Sequence, residues 1–234
     1  MIYYYDTYFF IVWAKFQMNG SDTDLTIIRH GQTAANIQGI LQGHFDTPLD
    51  DIGRRQAQCA AERLRSEPPF DGFYSSDLER AWETAEIIGR ALGSEPVPLT
   101  DLREWHLGEL EGRPRRELQQ LYPAIMDSFL FEPDGDVPVP GGESRDTFFE
   151  RVARCFDRLA ARHAGQRVLL VTHGGVMRAV YRHFAGKLGP GCLIPMTTNA
   201  SYSRVFYRGG YRQLGCWNDI SHLKNIPVRE SSTF

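Results

Sequence analysis

Three features of the sequence predict an α/β fold with a mainly parallel central sheet flanked by helices on both faces. From residue 24 onward, short apolar, β-rich runs alternate with amphipathic helical stretches, the pattern of helices layered over a parallel sheet. The 234 residues suit one large hydrophobic core, and no linker or solenoid-type repeat divides them. Two of the apolar runs, Leu25-Thr26-Ile27-Ile28-Arg29 and Val168-Leu169-Leu170-Val171-Thr172, pass directly into a histidine followed by glycine. In an open α/β sheet such strand ends deliver their side chains to one edge, where ligands bind.

Taken in order, residues 25–29 read as a buried strand. Residues 51–66 have helical spacing, with Ile52, Cys59, Ala60 and Leu64 able to share a face, and Pro68-Pro69 stops the helix. A short second strand at 70–74 precedes a helix over 77–92, capped at its start by Asp77 and closed by Gly93. A third strand is expected near 97–99, and residues 113–131 are expected to be helical. Pro, Gly and Asp crowd into residues 133–142, which makes them a loop. Helical periodicity resumes over 144–163 through Phe148, Val152, Cys155, Phe156 and Leu159. Residues 167–172 form a buried strand that feeds a helix over 176–184. Strands at 200–207 and 211–216 flank Arg208-Gly209-Gly210 as a hairpin.

Composition narrows the function. Apolar residues at 42% and charged residues at 24% are globular averages, which excludes disordered, collagenous and coiled-coil classes. A net charge of -3 provides no general field for nucleic acid or an anionic membrane, so an anionic ligand needs a local cluster of cations. Cys59, Cys155, Cys192 and Cys216 lie far apart with no Cys-x-x-Cys pair, so reduced thiols and a cytoplasmic location are expected. The first 24 residues differ in character, with eight aromatics between Tyr3 and Phe16. Their apolar run at 8–14 is far too short to cross a bilayer, and Asp6 before it with Lys15 after it departs from a signal peptide. Two readings stay open: an extra arm packed on the domain, or a start codon assigned upstream of a natural polar N-terminus at Met18. The expected organisation is therefore residues 1–24 as an extension and residues 25–234 as one catalytic domain.

The two strand-end histidines, His30 and His173, are the first candidates for chemistry, because matched delivery to one edge makes a shared site. Arg29 adjoins His30. Arg80 falls in the first helical turn after the second strand, where its guanidinium and the helix N-terminal amides suit an anion such as phosphate. Asn36 and Gln42, in a loop punctuated by Gly39 and Gly43, offer neutral donors. A metal centre is disfavoured: there is no His-x-His or His-Glu-x-x-His spacing, and two arginines beside the site would repel a cation.

These blocks together resemble the histidine phosphatase superfamily, the group of phosphoglycerate mutase-like proteins. Arg29-His30-Gly31 with Asn36 resembles its defining motif. Asp46-Thr47-Pro48-Leu49, Ser75-Ser76-Asp77-Leu78-Glu79-Arg80-Ala81, Leu102-Arg103-Glu104 with Gly108 and Glu111-Gly112, Pro140-Gly141-Gly142-Glu143-Ser144 and Thr172-His173-Gly174-Gly175 follow in family order. The resemblance implies a three-layer fold of that type and a phosphomonoester hydrolase with no cofactor. His30 would be the nucleophile that forms a phosphohistidine, and Glu104 the acid, then base. Arg29, Arg80 and a protonated His173 would hold the transferring charge, with Asn36, Gln42, Gly43 and Gly174 completing the phosphate site. His44 and His106 stay outside the catalytic set.

Two positions depart from the family pattern. Asp50 replaces the usual threonine and can still cap the following helix, while Ala35 stands where a tryptophan is common before Asn36. The span from Glu104 to His173 is shorter than in the mutase branch, which implies a site open to water and a broad-specificity phosphatase acting on small phosphorylated metabolites. A phosphoglycerate mutase, a sugar bisphosphatase, an α-ribazole phosphatase and a silent scaffold of the same fold are the alternatives. A monomer or homodimer is expected, with no nucleic-acid or membrane partner.

Overall fold

The structure, a computed structural model, describes residues 22–129, 136–188, 192, 195–224 and 226. The aromatic extension lies outside the described residues, as do the first residues of the 133–142 loop. The central sheet has six strands: β1 (Thr23–Arg29), β3 (Gly72–Ser75), β4 (Val97–Pro98), β6 (Arg167–Thr172), β7 (Tyr202–Arg208) and β8 (Tyr211–Asp219), in spatial order β4-β3-β6-β1-β7-β8. The first four in that order run parallel, and β7 and β8 add antiparallel at one edge. β1 begins at Thr23, two residues before the expected boundary. A separate two-stranded ribbon joins β2 (Ile40–Leu41) to β5 (Arg113–Pro114).

Side-chain alternation divides the core into two layers. Leu25 and Ile27 of β1 with Val168 and Leu170 of β6 face one side, packed with Phe148, Val152 and Phe156 of α6 (Arg145–Arg162) and Val176, Met177 and Val180 of α7 (Gly174–Ala185). Ile28 with Leu169 and Val171 faces the other, packed with Ala60, Ala61 and Leu64 of α2 (Asp51–Arg65) and Ala81, Ala85 and Ile88 of α3 (Glu79–Leu92). This period-two division over buried strands is what places helices on both faces.

Several boundaries differ from the sequence reading. The buried stripe of α2 runs through Gly53, Gln56, Ala57, Ala60 and Leu64, so Ile52 and Cys59 sit at its margin, half-buried. The rotation follows from the close approach of Gly53 to the turn after β1. Asp77 does not cap α3. Its carboxylate pairs with Arg103, with Arg103 Nε donating at 2.7 Å, and Asp46 Oδ2 instead accepts the Glu79 N–H at 2.6 Å. The helix expected over 113–131 is broken into β5, α4 (Arg115–Leu121) and α5 (Pro123–Ser128), because Tyr122 precedes a proline and leaves the helical region at φ -135. The short helix α1 (Ala34–Gln38), with Thr33 and Asn36 forming a reciprocal cap, had no periodic signal to announce it.

At the sheet end away from the histidines, the Asp24 carboxylate is buried between two guanidiniums. Arg167 Nε of β6 donates to it at 3.2 Å and Arg204 Nε of β7 at 2.8 Å, while Arg167 also pairs with Glu67 at 2.7 Å. Asp24→Ala is expected to lower the unfolding free energy by about 3 kcal/mol, since it leaves two cations without their buried anion. Equilibrium urea unfolding measures this; a loss below about 1 kcal/mol would class the cluster with exposed ion pairs.

Candidate active site

β1 and β6 are neighbours in register, with Arg29 opposite Thr172. The His30 N–H donates to the Thr172 carbonyl at 2.8 Å, and the rings of His30 and His173 come to a centroid distance of 5.2 Å. The two strand-end histidines therefore share one site. The turn holding His30 is fixed from two sides. A Cβ on Gly31 would lie 2.4 Å from the Gly53 carbonyl and one on Gly53 2.1 Å from the Gln32 carbonyl, so only glycines allow α2 to start here. Asp50 caps α2, accepting from Gly53 N–H at 2.7 Å, as threonine would. On the other side Asn199 Nδ2 donates to the carbonyls of His30 and Gly31 at 3.0 and 3.2 Å.

His30 is 2% exposed, and its Nδ1 donates to the Gly31 carbonyl at 2.7 Å. That bond sets the tautomer and leaves the Nε2 lone pair outward. Burial, with Arg80 and Arg29 beside the ring, holds its pKa well below the usual histidine range, so the imidazole is neutral. His173 is fully buried, and burial with Arg80, His30 and Arg29 nearby lowers its pKa in the same way. That shift works against the protonated His173 that the family resemblance implies. Ser76 Oγ accepts from Leu78 N–H and shares a hydrogen bond of 2.7 Å with His173 Nε2, which fixes the orientation of the ring.

Both arginines converge on this pair. Arg29 Nη1 donates to the Thr197 carbonyl, and burial brings its pKa down to about 10, which leaves it charged near neutrality. Arg80 is 1% exposed; its Nη2 donates to the Gly43 carbonyl at 2.7 Å and its Nη1 lies 3.3 Å from Asp46 Oδ1. The positive φ of Gly43 turns that carbonyl toward Arg80. Arg29 Nε, Arg80 Nε and His173 Nδ1 are buried without a hydrogen-bond partner among the described residues. The two unpartnered guanidinium N–H donors are costly in an apolar interior and suit the oxygens of an incoming anion.

Asn36 and Gln42 line the same pocket as neutral donors. Asn36 Oδ1 accepts from Thr33 and Asn199, and Gln42 Oε1 from Thr33 and Thr47, so each amide presents its NH2 group as the remaining polar end. Gly174 packs on Arg29, with a hypothetical Cβ 3.3 Å from the guanidinium carbon.

Glu104 reaches the pocket from the segment before the 3₁₀ turn Gly108–Leu110. Its Oε1 accepts from Trp105 N–H and its Oε2 from Gly175 N–H, both at 2.9 Å, so the first turn of α7 orients the carboxyl group. A Cβ on Gly175 would stand 2.2 Å from Oε1. Arg151 of α6 supports the same segment from behind, donating to the carbonyls of Asp101, Arg103 and Glu104 while pairing with Glu143. Glu111 accepts from the N–H groups of His44 and Leu107, and His44 Nε2 donates to the Glu104 carbonyl at 2.9 Å. His44, His106 and Glu111 therefore build the loop and do not line the pocket. Among the described residues no group of three or more His, Cys, Asp or Glu side chains is arranged to hold a metal ion.

Four participants were absent from the sequence reading. Thr197 and Asn199 lie in a segment with no periodicity, and Arg115 and Arg178, which line the pocket, read as ordinary helical arginines. Ser76 is visible in the sequence only as part of its block.

The chain is similar to known proteins over most of its length. A phosphoglycerate mutase-like protein 4 of Arabidopsis thaliana is 38% identical over 89% of this chain and 90% of its own length. A metal-independent phosphoserine phosphatase of the same plant is 36% identical over 87% of this chain and 84% of its length. A mycobacterial glucosyl-3-phosphoglycerate phosphatase, solved with VO3, superposes with a TM-score of 0.72 at 31% identity, covering 83% of this chain and 98% of that one. The profile of the histidine phosphatase superfamily, branch 1, matches residues 25–220, and the chain belongs to that family.

Proposed function

We propose that the chain is a broad-specificity phosphatase of small phosphorylated metabolites that works through a phosphohistidine on His30. The observation that carries this reading is the His30 ring: neutral, buried, with Nδ1 tied to Gly31 and Nε2 facing a pocket lined by Arg29 and Arg80. In the first step a bond forms between Nε2 and phosphorus while the ester P–O bond breaks, and the Glu104 carboxyl gives its proton to the leaving oxygen. Arg29, Arg80 and His173 stabilise the charge spread over the phosphoryl oxygens. In the second step Glu104 takes a proton from water as water attacks phosphorus. The P–N bond breaks, inorganic phosphate leaves and His30 returns to its neutral state. The phosphatases among the relatives support this reading, and a mutase would use the same residues to return the phosphoryl group to a substrate hydroxyl.

The test is release of phosphate from p-nitrophenyl phosphate and from a panel of phosphorylated metabolites, with isomerised product measured alongside. Turnover is expected to survive EDTA and to fall in micromolar vanadate, whose trigonal-bipyramidal adduct imitates the transferring group. Complete loss in EDTA restored by zinc or manganese would overturn the mechanism, and isomerised ester without phosphate release would make the chain a mutase. The catalytic unit is proposed to be residues 25–234, so removal of residues 1–17, which leaves β1 whole, is expected to leave kcat within about twofold. A cytoplasmic setting belongs to the same proposal and rests on four unpaired cysteines. A monomer or homodimer is proposed as its assembly.

A further inference from the structure

The turn that carries His30 is braced by residues 197–201, the segment that leads into β7. Asn199 is 4% exposed, and its Nδ2 donates to the His30 carbonyl at 3.0 Å and to the Gly31 carbonyl at 3.2 Å. The Gly31 oxygen is the one that also accepts the His30 Nδ1–H, at 2.7 Å. Two main-chain carbonyls at that end of the amide settle its orientation, since the flipped amide would set oxygen against oxygen. The same segment is stitched to the end of β1 by its backbone: the Ala200 N–H donates to the His30 carbonyl at 3.1 Å, and the Ser201 carbonyl accepts the Arg29 N–H at 3.2 Å. Among the described residues, the non-glycine residues at positive φ are Ala200, at 54°, and Asn218, at 52°. Ala200 follows Asn199 directly, and Asn218 Oδ1 of β8 accepts the Thr198 N–H at 2.7 Å. Such conformations are sparsely populated by residues with a Cβ and persist where the surroundings over-determine them, often beside a functional site. Both strained residues belong to the brace that ends at His30.

We propose that Asn199 is a positioning residue for the nucleophile: its amide fixes the Gly31 carbonyl, and through that carbonyl the His30 ring, so that Nε2 faces phosphorus in line. The inference rests on the phosphohistidine reading above and adds to it the group that aims the attack. A ring held by one hydrogen bond to an unbraced carbonyl would swing with the turn, and a displacement of about 1 Å costs on the order of 10²-fold in rate. The arginines that hold phosphate are anchored separately, Arg29 by the Thr197 carbonyl and Arg80 by the Gly43 carbonyl. Those are main-chain groups, which a change of the Asn199 side chain leaves in place. Attack and phosphate binding are therefore separable. The partners of Asn199 also keep other donors without it: the His30 carbonyl keeps the Ala200 N–H, the Gly31 carbonyl keeps the His30 ring, and Asn36 Oδ1, 3.2 Å from Asn199 Nδ2, keeps Thr33. A variant that lacks the amide thus leaves none of these three acceptors unsatisfied, which favours folding.

The experiment is single-turnover cleavage of p-nitrophenyl phosphate with enzyme in saturating excess, in which the rate constant reports the attack and the amplitude reports the competent fraction. Asn199→Leu keeps the branched shape of the side chain, adds no charge and removes both N–H donors. Its rate constant for nitrophenolate release is expected to fall about 10- to 100-fold, while the inhibition constant for inorganic phosphate stays within about threefold of wild type. Asn199→Ala is expected to show the same split, and it decides the matter should the leucine variant fail to fold. A residue that serves folding alone would lower the amplitude and Tm and leave the rate constant of the folded molecules unchanged. That result, or a rate constant and a phosphate constant that worsen in equal measure, would overturn the inference while leaving the hydrolase reading intact. No nitrophenolate release by the wild type would sink the hydrolase reading and this inference with it.

Discussion

Replacing His30 with alanine is expected to lower kcat on p-nitrophenyl phosphate by roughly 10⁴-fold or more, the scale seen when a covalent nucleophile is removed. The reason lies in the site's geometry. His30 Nε2 has its lone pair free because Nδ1 is bonded to Gly31, whereas the other strand-end imidazole, His173, has its Nε2 engaged by Ser76. The variant is also expected to lose acid-labile, alkali-stable phosphoenzyme in a burst-labelling experiment. Wild-type labelling by folded His30→Ala would assign the nucleophile elsewhere.

Glu104→Gln is expected to show a split that no purely structural lesion would produce. An alkoxide leaving group needs a proton as the bond breaks, so hydrolysis of alkyl phosphates should fall by about 10²- to 10⁴-fold, the usual share of a general acid. Nitrophenolate scarcely needs that proton, so phosphoenzyme should still form from the aryl ester and then persist, because the same group activates water in the second step. The amide is close in shape to the carboxyl, although one of the contacts from Trp105 and Gly175 must then meet an NH2 group. Equal rates for wild type and variant on alkyl phosphates would place the acid elsewhere, and Glu109 would be the next candidate, since Glu111 is committed to the His44 and Leu107 N–H groups.

How far the sequence could be read follows from the range of the forces involved. Strands β1 and β6 were legible because burial on both faces leaves near-continuous apolar runs, and the histidines were legible as the first residues after them. Arg29 and Arg80 were legible from their places beside His30 and in the first turn after the second strand, whereas Glu104 was legible only through its family block. What failed was pairwise and tertiary. Asp77 after two serines looks like a helix cap, yet Arg103, 26 residues onward, takes its carboxylate. The lowered proton affinity of His173 could not be read from its neighbours in sequence, because burial and arginines from other elements cause it. Asn199 has meaning only where its chain segment meets the end of β1.

The pairing of β1 with β6 joins residues 143 apart in sequence, and β7 then closes on the free side of β1 from still further along the chain. His30, the proposed nucleophile, is among the first folded-domain residues to leave the ribosome, while His173 and the segment that supports the His30 turn are among the last. Closing so long a loop costs entropy before any contact repays it, so assembly of the histidine pair should be a late, cooperative event. Until then His30 is an ordinary solvated imidazole with an ordinary proton affinity. The proposed chemistry is therefore expected to be silent in nascent or partly degraded chains: a chain ending before about residue 200 holds the motif Arg29-His30-Gly31 without the β7 strand that pairs with β1.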